Sequence, residues 1–428
     1  MHGDTIVAVG PDRSLSRRYS ASSVVDGRGA WAMPGLWDMH VHFGGGEELV
    51  DENRALLPIY LAYGVTTVRD AAADLSEHVL RWRSEVAAGT LLGPRIFTSG
   101  PKLEGPRPLW RGTIEVDSPA EVDAALDRLQ AMGVDFVKIT DNTLRPEIFL
   151  YAVDAARRRG LRTSAHTPYA LTIQQAATAG LSAIEHLDYL IKAGSPEEQR
   201  VAADYAAGRL TYAQAVDRLS DTFDPAFARA SYRRLAATGI HVTPTLNMTR
   251  IIAWLNEEDH SRDPALALIG PGLRATYDWR VQRAANWTPA EVASRRRNYQ
   301  LSLRILPMLR DAGIPILAGT DAGYLNSFNY PGQGLHDELA LYVQAGLTPA
   351  QALRTATITG PAFMRVAGRY GAVAPGRTAD ILLLDANPLA DIAATRRIRM
   401  VVTRGRALDR AALDHLLVRA RAEASAGR

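Results

Sequence analysis

The chain has 428 residues, 47% of them hydrophobic, with 49 basic and 46 acidic side chains and a net charge of +3. That length accommodates one large α/β barrel with an accessory domain, and the apolar content excludes a disordered or collagen-like chain. Cysteine is absent, which removes thiol nucleophiles, disulfides and Cys-ligated metals, and the only lysines are Lys102, Lys138 and Lys192. The arginines fall in short clusters such as Arg157-Arg159 and Arg295-Arg297, so no concentrated basic face for nucleic acid is expected. No stretch approaches the roughly 18 apolar residues of a membrane helix. Met1-His2-Gly3-Asp4 carries no secretion signal, so a cytoplasmic protein is expected unless a leader precedes Met1.

In chain order, residues 1–33 read as short strands, with Thr5-Ile-Val-Ala-Val9 and a turn at Asp26-Gly27. Eight apolar or β-branched runs follow: Leu36-His42, Gly64-Asp70, Arg95-Gly100, Phe136-Thr140, Arg162-Thr167, Ala183-Leu187, His241-Asn247 and Pro315-Asp321. Helical segments lie between them, such as Ala120-Met132, Pro146-Arg159 and Tyr299-Ala312, each stopped by a glycine. Eight strands alternating with helices predict a (β/α)8 TIM barrel over residues 34–370, with catalytic groups at the C-terminal ends of the strands. Two insertions, 188–239 and 248–297, are too long for simple loops and read as helical walls over the mouth. Residues 371–407 again read as strands, so both chain ends together predict a small β-sandwich domain; 408–428 reads as a terminal amphipathic helix.

The chemistry sits at the ends of these runs. His40 and His42 are two apart on a strand and therefore share a face, which suits Zn²⁺ or a similar cation. His166 ends the fifth run, His186 the sixth and Asp321 the eighth, the places where a barrel converges its side chains. Lys138 holds the same position on the fourth run. A buried ammonium beside metals would be repelled, whereas a neutral lysine reacts with carbon dioxide to give a carbamate able to bridge two cations, which arginine cannot do. Asp70 at the second strand end is a candidate orienting carboxylate, with an ordinary arginine salt bridge as the competing role. Tyr169 and Asn247 are candidate substrate contacts at the rim, and His336 is assigned a local structural role.

These residues resemble the metal-dependent amidohydrolase superfamily, and within it the imidazolonepropionase-like and Xaa-Pro dipeptidase-like branch. Pro34-Gly-Leu-Trp-Asp-Met-His-Val-His42 is similar to the first-strand signature, Gly64-Val-Thr-Thr-Val-Arg-Asp70 to the second strand, and Leu317-Ala-Gly-Thr-Asp-Ala-Gly323 to the eighth. Gly371-Ala-Val-Ala-Pro-Gly-Arg-Thr-Ala-Asp380 resembles the return into the small domain. The resemblance implies two divalent metal ions, zinc first among them. His40 and His42 would bind the more buried ion, His166 and His186 the more exposed one, carboxylated Lys138 would bridge both, and Asp321 would ligate the buried ion and handle the proton of the attacking water. It also implies a hydrolase for the amide bond of a dipeptide or N-acyl amino acid. The same site acting on a lactone, organophosphate or cyclic imide is the alternative, and a non-catalytic scaffold the third reading. The expected partners are a small-molecule substrate and further copies of the chain. One departure stands out: Leu187-Asp188 follows the sixth-strand histidine where the family often has glycine.

Overall fold

The computed structural model describes residues 1–72 and 74–426. Its strands, in chain order, are β1 (Trp31–Pro34), β2 (Leu36–His42), β3 (Val65–Asp70), β4 (Arg95–Thr98), β5 (Lys102–Glu104), β6 (Thr113–Glu115), β7 (Val137–Ile139), β8 (Thr163–Ala165), β9 (Ala183–Glu185), β10 (His241–Thr243), β11 (Ala322–Gly323), β12 (Ile381–Leu384), β13 (Ile398–Thr403) and β14 (Arg406–Asp409). The fold is α/β with two parallel sheets, ordered β11-β2-β3-β4 and β10-β9-β8-β7-β5-β6. Strands β3, β7, β8 and β9 are buried along their whole length, as parallel strands covered on both faces must be.

Seven of the eight predicted runs contain one of these strands. The eighth, Pro315-Asp321, is held between β10 and β2 by backbone bonds, Leu317 N donating to Val242 O, Met39 N to Ala318 O and Asp321 N to His40 O. Its regular strand is confined to Ala322–Gly323, just beyond the predicted run. Gly319 makes the approach to β2 possible: a Cβ there would lie 2.9 Å from the backbone nitrogen of His40 and 2.5 Å from the Thr243 methyl group. Strands β5 and β6, between the third and fourth runs, were not anticipated.

The chain ends meet in an antiparallel sheet, β1-β12-β13-β14. Among the described residues this is a single sheet. The Thr5-Val9 segment contributes an isolated bridge from Thr5 to Thr378 instead of a full strand, and leaves Val7 and Val9 exposed. The terminal helix runs Arg410–Ala426, starting later than expected because Arg406–Asp409 pairs with β13; residues 427 and 428 lie outside the described residues. The two insertions are helical, with Tyr189–Ala193, Glu198–Ala206, Tyr212–Asp221 and Pro225–Ala236 in the first, and Leu246–Trp254, Asp278–Ala285 and the start of the long helix Pro289–Ala312 in the second. No helix among the described residues is long and apolar enough to cross a membrane.

His336 ties the helix Gln333–Gln344 to two other segments, its Nδ1 lying 2.9 Å from Thr395 Oγ1 and its Nε2 2.9 Å from Tyr63 O. Burial, with Arg396 nearby, pulls its pKa down to about 4. The unfolded chain therefore takes this proton near pH 6.5 while the folded chain resists it to about pH 4, so stability from this group is complete above 6.5 and lost as pH falls toward 4. Over that window it is expected to account for about 3 kcal/mol. Urea denaturation at pH 7 and pH 5 checks this: His336→Asn should show a shallower loss than wild type, and equal losses would contradict it.

Candidate functional site

The ends of β2, β8, β9 and the eighth segment open into a cavity of about 670 Å³, lined by His42, Lys138, His166, His186 and Asp321. His40 lies directly behind, fully buried. The His40 and His42 Nε2 atoms are 3.1 Å apart, and Asp321 Oδ1 lies 3.3 Å from the first and 2.9 Å from the second. The His166 and His186 Nε2 atoms are 3.0 Å apart, and the His40 and His186 ring centroids are separated by 5.0 Å. His40, His186 and Asp321 each offer a ligand atom within 4.8 Å of the others.

The protonation of two rings follows from their neighbours. His40 Nδ1 is 2.6 Å from Glu185 Oε2, and His42 Nδ1 is 2.7 Å from the Ala72 carbonyl. Both partners only accept, so both Nδ1 atoms carry protons and the neutral rings turn bare Nε2 lone pairs toward each other and toward the Asp321 carboxylate. Three acceptors facing one another lack a donor, and a cation supplies what they need. His186 Nδ1 is oriented by Thr245 Oγ1 at 2.8 Å, and His166 Nδ1 faces Asp141 at 3.7 Å. Lys138 Nζ is buried with no hydrogen-bond partner, in the cavity these groups surround. The donor set and the orphaned amine together fit a metal centre with a modified lysine.

The electrostatics agree with this arrangement. Burial drives the Lys138 amine down to about 8 despite the pull of Glu185, bringing the neutral, nucleophilic form within reach of physiological pH. His40 is lowered to about 3 by burial, which outweighs Glu185 and keeps the ring neutral. Burial pushes Asp321 upward, but contact with His42 and the surrounding imidazoles outweighs it and holds the carboxyl below the usual range.

Sequence reasoning missed the support of these residues. Glu185, fully buried, is 2.6 Å from the Arg69 guanidinium, also fully buried, and accepts from Ser164 Oγ as well as His40. Charged residues at Arg69 and Glu185 within runs read as buried strands were the available signal, since buried charges of opposite sign must pair. Asp38 in turn accepts from Thr320 Oγ1 at 2.7 Å and from the backbone nitrogens of Thr320 and His40, joining β2 to the eighth segment. Ala72, His186, Thr245 and Asp321 all have positive φ, between 50° and 81°, so four non-glycine residues of this ring hold left-handed backbone. No sequence pattern announces that.

Of the remaining candidates, Tyr169 lines the cavity and packs its ring 4.8 Å from Tyr212. Asp70 accepts from Thr98 Oγ1 at 2.7 Å and makes no arginine salt bridge among the described residues, its neighbour Arg69 being engaged by Glu185. Asn247 is not at the rim. Pro244 and left-handed Thr245 end the seventh run early, the chain turns into the helix Leu246–Trp254, and the Asn247 amide donates to Asn329. Thr245 takes the place at the cavity wall.

The model of the amidohydrolase family matches residues 31–408. The chain is 24% identical to ochratoxinase of Aspergillus niger over 446 aligned residues, spanning 91% of this chain and 77% of that one. Among solved structures it is similar to a bottromycin amidohydrolase, with a TM-score of 0.70, 24% identity and coverage of 92% and 80%. It is also similar to a Xaa-Pro dipeptidase solved with methionine in its active site, with a TM-score of 0.66, 19% identity and coverage of 96% and 94%. These structural likenesses establish the fold.

Glu185→Gln is expected to destabilise the chain by about 3 kcal/mol, because it leaves the Arg69 charge buried without a counter-charge. Arg69→Met added to it should recover part of that loss. Guanidinium denaturation of the two variants checks this, and a Glu185→Gln chain as stable as wild type would contradict it.

Proposed function

Because the chain belongs to the amidohydrolase family, and is thus an enzyme acting on amide carbon–nitrogen bonds, we propose that it is a binuclear metal-dependent hydrolase of a dipeptide or N-acyl amino acid. The observation that carries this reading is the convergence of the His40 and His42 Nε2 lone pairs on Asp321 Oδ1 beside an unpartnered Lys138 amine. His40, His42 and Asp321 would hold one divalent cation, His166 and His186 the other, and carboxylated Lys138 would bridge them, with zinc the expected metal. When bound, the two cations supply Lewis acidity toward the scissile carbonyl and lower the pKa of a shared water toward neutrality.

The remaining work falls to the chain. The Lys138 ammonium first gives one proton to solvent; the neutral amine then adds to carbon dioxide and releases a second proton, exchanging a buried cation for a carbamate anion with two oxygens. Asp321 accepts the proton of the attacking water and returns it to the leaving nitrogen, which then departs as a neutral amine. Its carboxyl, held below the usual range, is ionised and ready to accept at neutral pH. Glu185 and the Ala72 carbonyl keep the protons of His40 and His42 on Nδ1. Asp70 orients the neighbourhood of His42 from the end of β3, and Tyr169 offers a hydroxyl to the substrate. We also infer that β2, β3, β4, β7, β8, β9, β10 and the eighth segment close into one eight-stranded barrel, through the Leu317 and Asp321 backbone bonds at one seam and the bond from Asp135 N to Thr98 O at the other, with the antiparallel sheet of the chain ends as its small companion domain. The names of the relatives, an ochratoxinase and a Xaa-Pro dipeptidase, support an amide substrate.

Chelation followed by dialysis should abolish hydrolysis of a panel of dipeptides and N-acyl amino acids, and added zinc should restore it; full activity without metal would contradict the reading. Esters, lactones and organophosphates in the same panel should turn over more slowly than the amides. Lys138→Arg keeps a cation but cannot form a carbamate, so it should lose bound metal and activity together, and retention of both would overturn the bridging role. Asp321→Asn should lower kcat by about 10²-fold or more.

A further inference from the structure

The Leu187-Asp188 pair that follows His186 has no part in the centre described above. Leu187 is fully buried, whereas Asp188 lines the cavity at the start of the first helical insertion. Burial works against the Asp188 charge, and what favours it is His186 and the backbone N–H groups of Asp188 and Tyr189. No lysine or arginine stands at ion-pairing distance from it among the described residues. Lys192, on the same wall, is engaged elsewhere: it donates to Pro168 O at 2.7 Å and acts on Glu198 and Asp141. Arg295, the cation on the Tyr212 side, lies 4.0 Å over the Trp287 ring and is answered by Glu291 and Asp217.

A row of phenols leads away from the centre beside this carboxylate. Tyr189 stacks on His166 with ring centroids 5.8 Å apart, Tyr169 is 6.0 Å from Tyr189, and Tyr212 is 4.8 Å from Tyr169. Tyr169 and Tyr189 are buried and Tyr212 is 51% exposed, so the row runs from a candidate ligand out to the mouth. The Asp188 charge acts on all three hydroxyls as well as on His186. Phenol faces attract cations and pack against methylene chains, and one of them already does so, with Lys192 Nζ 4.7 Å from the Tyr169 centroid. A carboxylate set among such faces is matched by a positive group on a methylene arm. Asp321 returns its proton to the leaving nitrogen, which puts the amine half on its side of the centre and leaves the His166 side to the acyl half. An ammonium on the α-carbon would sit against the two cations and be repelled, whereas three successive rings extend far enough to receive a charge at the end of a side chain.

We propose that Asp188 and the phenols of Tyr169, Tyr189 and Tyr212 form a subsite for a basic side chain, an alkylammonium or guanidinium, on the acyl half of the amide. The proposal rests on the amide-hydrolase reading above and adds a side-chain preference, with the residues that set it.

Calorimetric titration of the metal-loaded protein with product-like acids tests it, each with its α-amine acetylated so that only the side chain carries positive charge: Nα-acetyl-L-arginine against Nα-acetyl-L-citrulline, and Nα-acetyl-L-lysine against N-acetyl-L-norleucine. At least one basic acid should bind about fivefold or more tightly than its neutral partner, as expected for a charge-assisted contact beside aromatic faces. Asp188→Asn should bring that ratio close to one with metal content unchanged, and Asp188→Glu should restore part of it. Tyr212→Leu should lower the ratio, while Tyr212→Phe, which keeps the ring, should preserve it. Equal binding within both pairs by the wild type, binding of none of the four acids, or a preference that survives Asp188→Asn overturns the subsite. A carboxylate that only balances the charge of the cations would give that last result together with a loss of metal. Where Asp188→Asn fails to fold or to hold metal, the wild-type comparison and Tyr212→Leu decide. A wild type that prefers the basic acids but cleaves no amide would leave the subsite in place and contradict the proposed reaction instead.

Discussion

The arrangement of the whole molecule follows from one constraint, the need to hold the His40 and His42 Nε2 lone pairs and the Asp321 carboxylate within 3.3 Å of one another with no proton between them. Left alone these acceptors repel, and each ring would turn away or take a second proton. They stay because each is fixed from behind: His40 by Glu185, His42 by the Ala72 carbonyl, and the segment that carries Asp321 by the Asp38–Thr320 bonds. Behind Glu185 stands Arg69, so a fully buried ion pair across the strands aims one imidazole. A buried pair of this kind contributes little net stability against an apolar substitute, but it fixes orientation, which is what a preorganised site requires.

Strain is concentrated in the same place. His186, Thr245 and Asp321 adopt left-handed backbone just where their strands or neighbouring segments end, and Ala72 does so where its carbonyl must reach His42. Each such residue costs about 1 kcal/mol or more. The surrounding parallel strands, buried on both faces, offset that cost, and the long helical insertions wall the cavity they create.

How much of this could be read from residues alone depended on how continuous each signal was. The run Leu36-His42 appeared as a strand with its bounds intact, because all of its seven positions except Asp38 are apolar or candidate ligands and Pro34-Gly35 marks the start. The six candidate ligands stood out because each is a polar residue in or at the end of a short apolar or β-branched run. Strands β5 and β6 were invisible, being three residues each with charges in a Pro- and Gly-rich stretch. Asn247 was misplaced for a local reason, the left-handed turn at Thr245, which no propensity would favour.

Under the proposed reading the scarcity of lysine becomes functional. Arginine serves nearly every surface ion pair, and lysine is kept in one cavity where a removable proton or a compact charge has a use. The most direct test of the central claim is anomalous diffraction at the zinc edge from crystals of the zinc-loaded protein. The account predicts two peaks, one among His40, His42 and Asp321 and one between His166 and His186, with carbamate density on Lys138 between them. A single peak, or an unmodified Lys138 beside two, would contradict it.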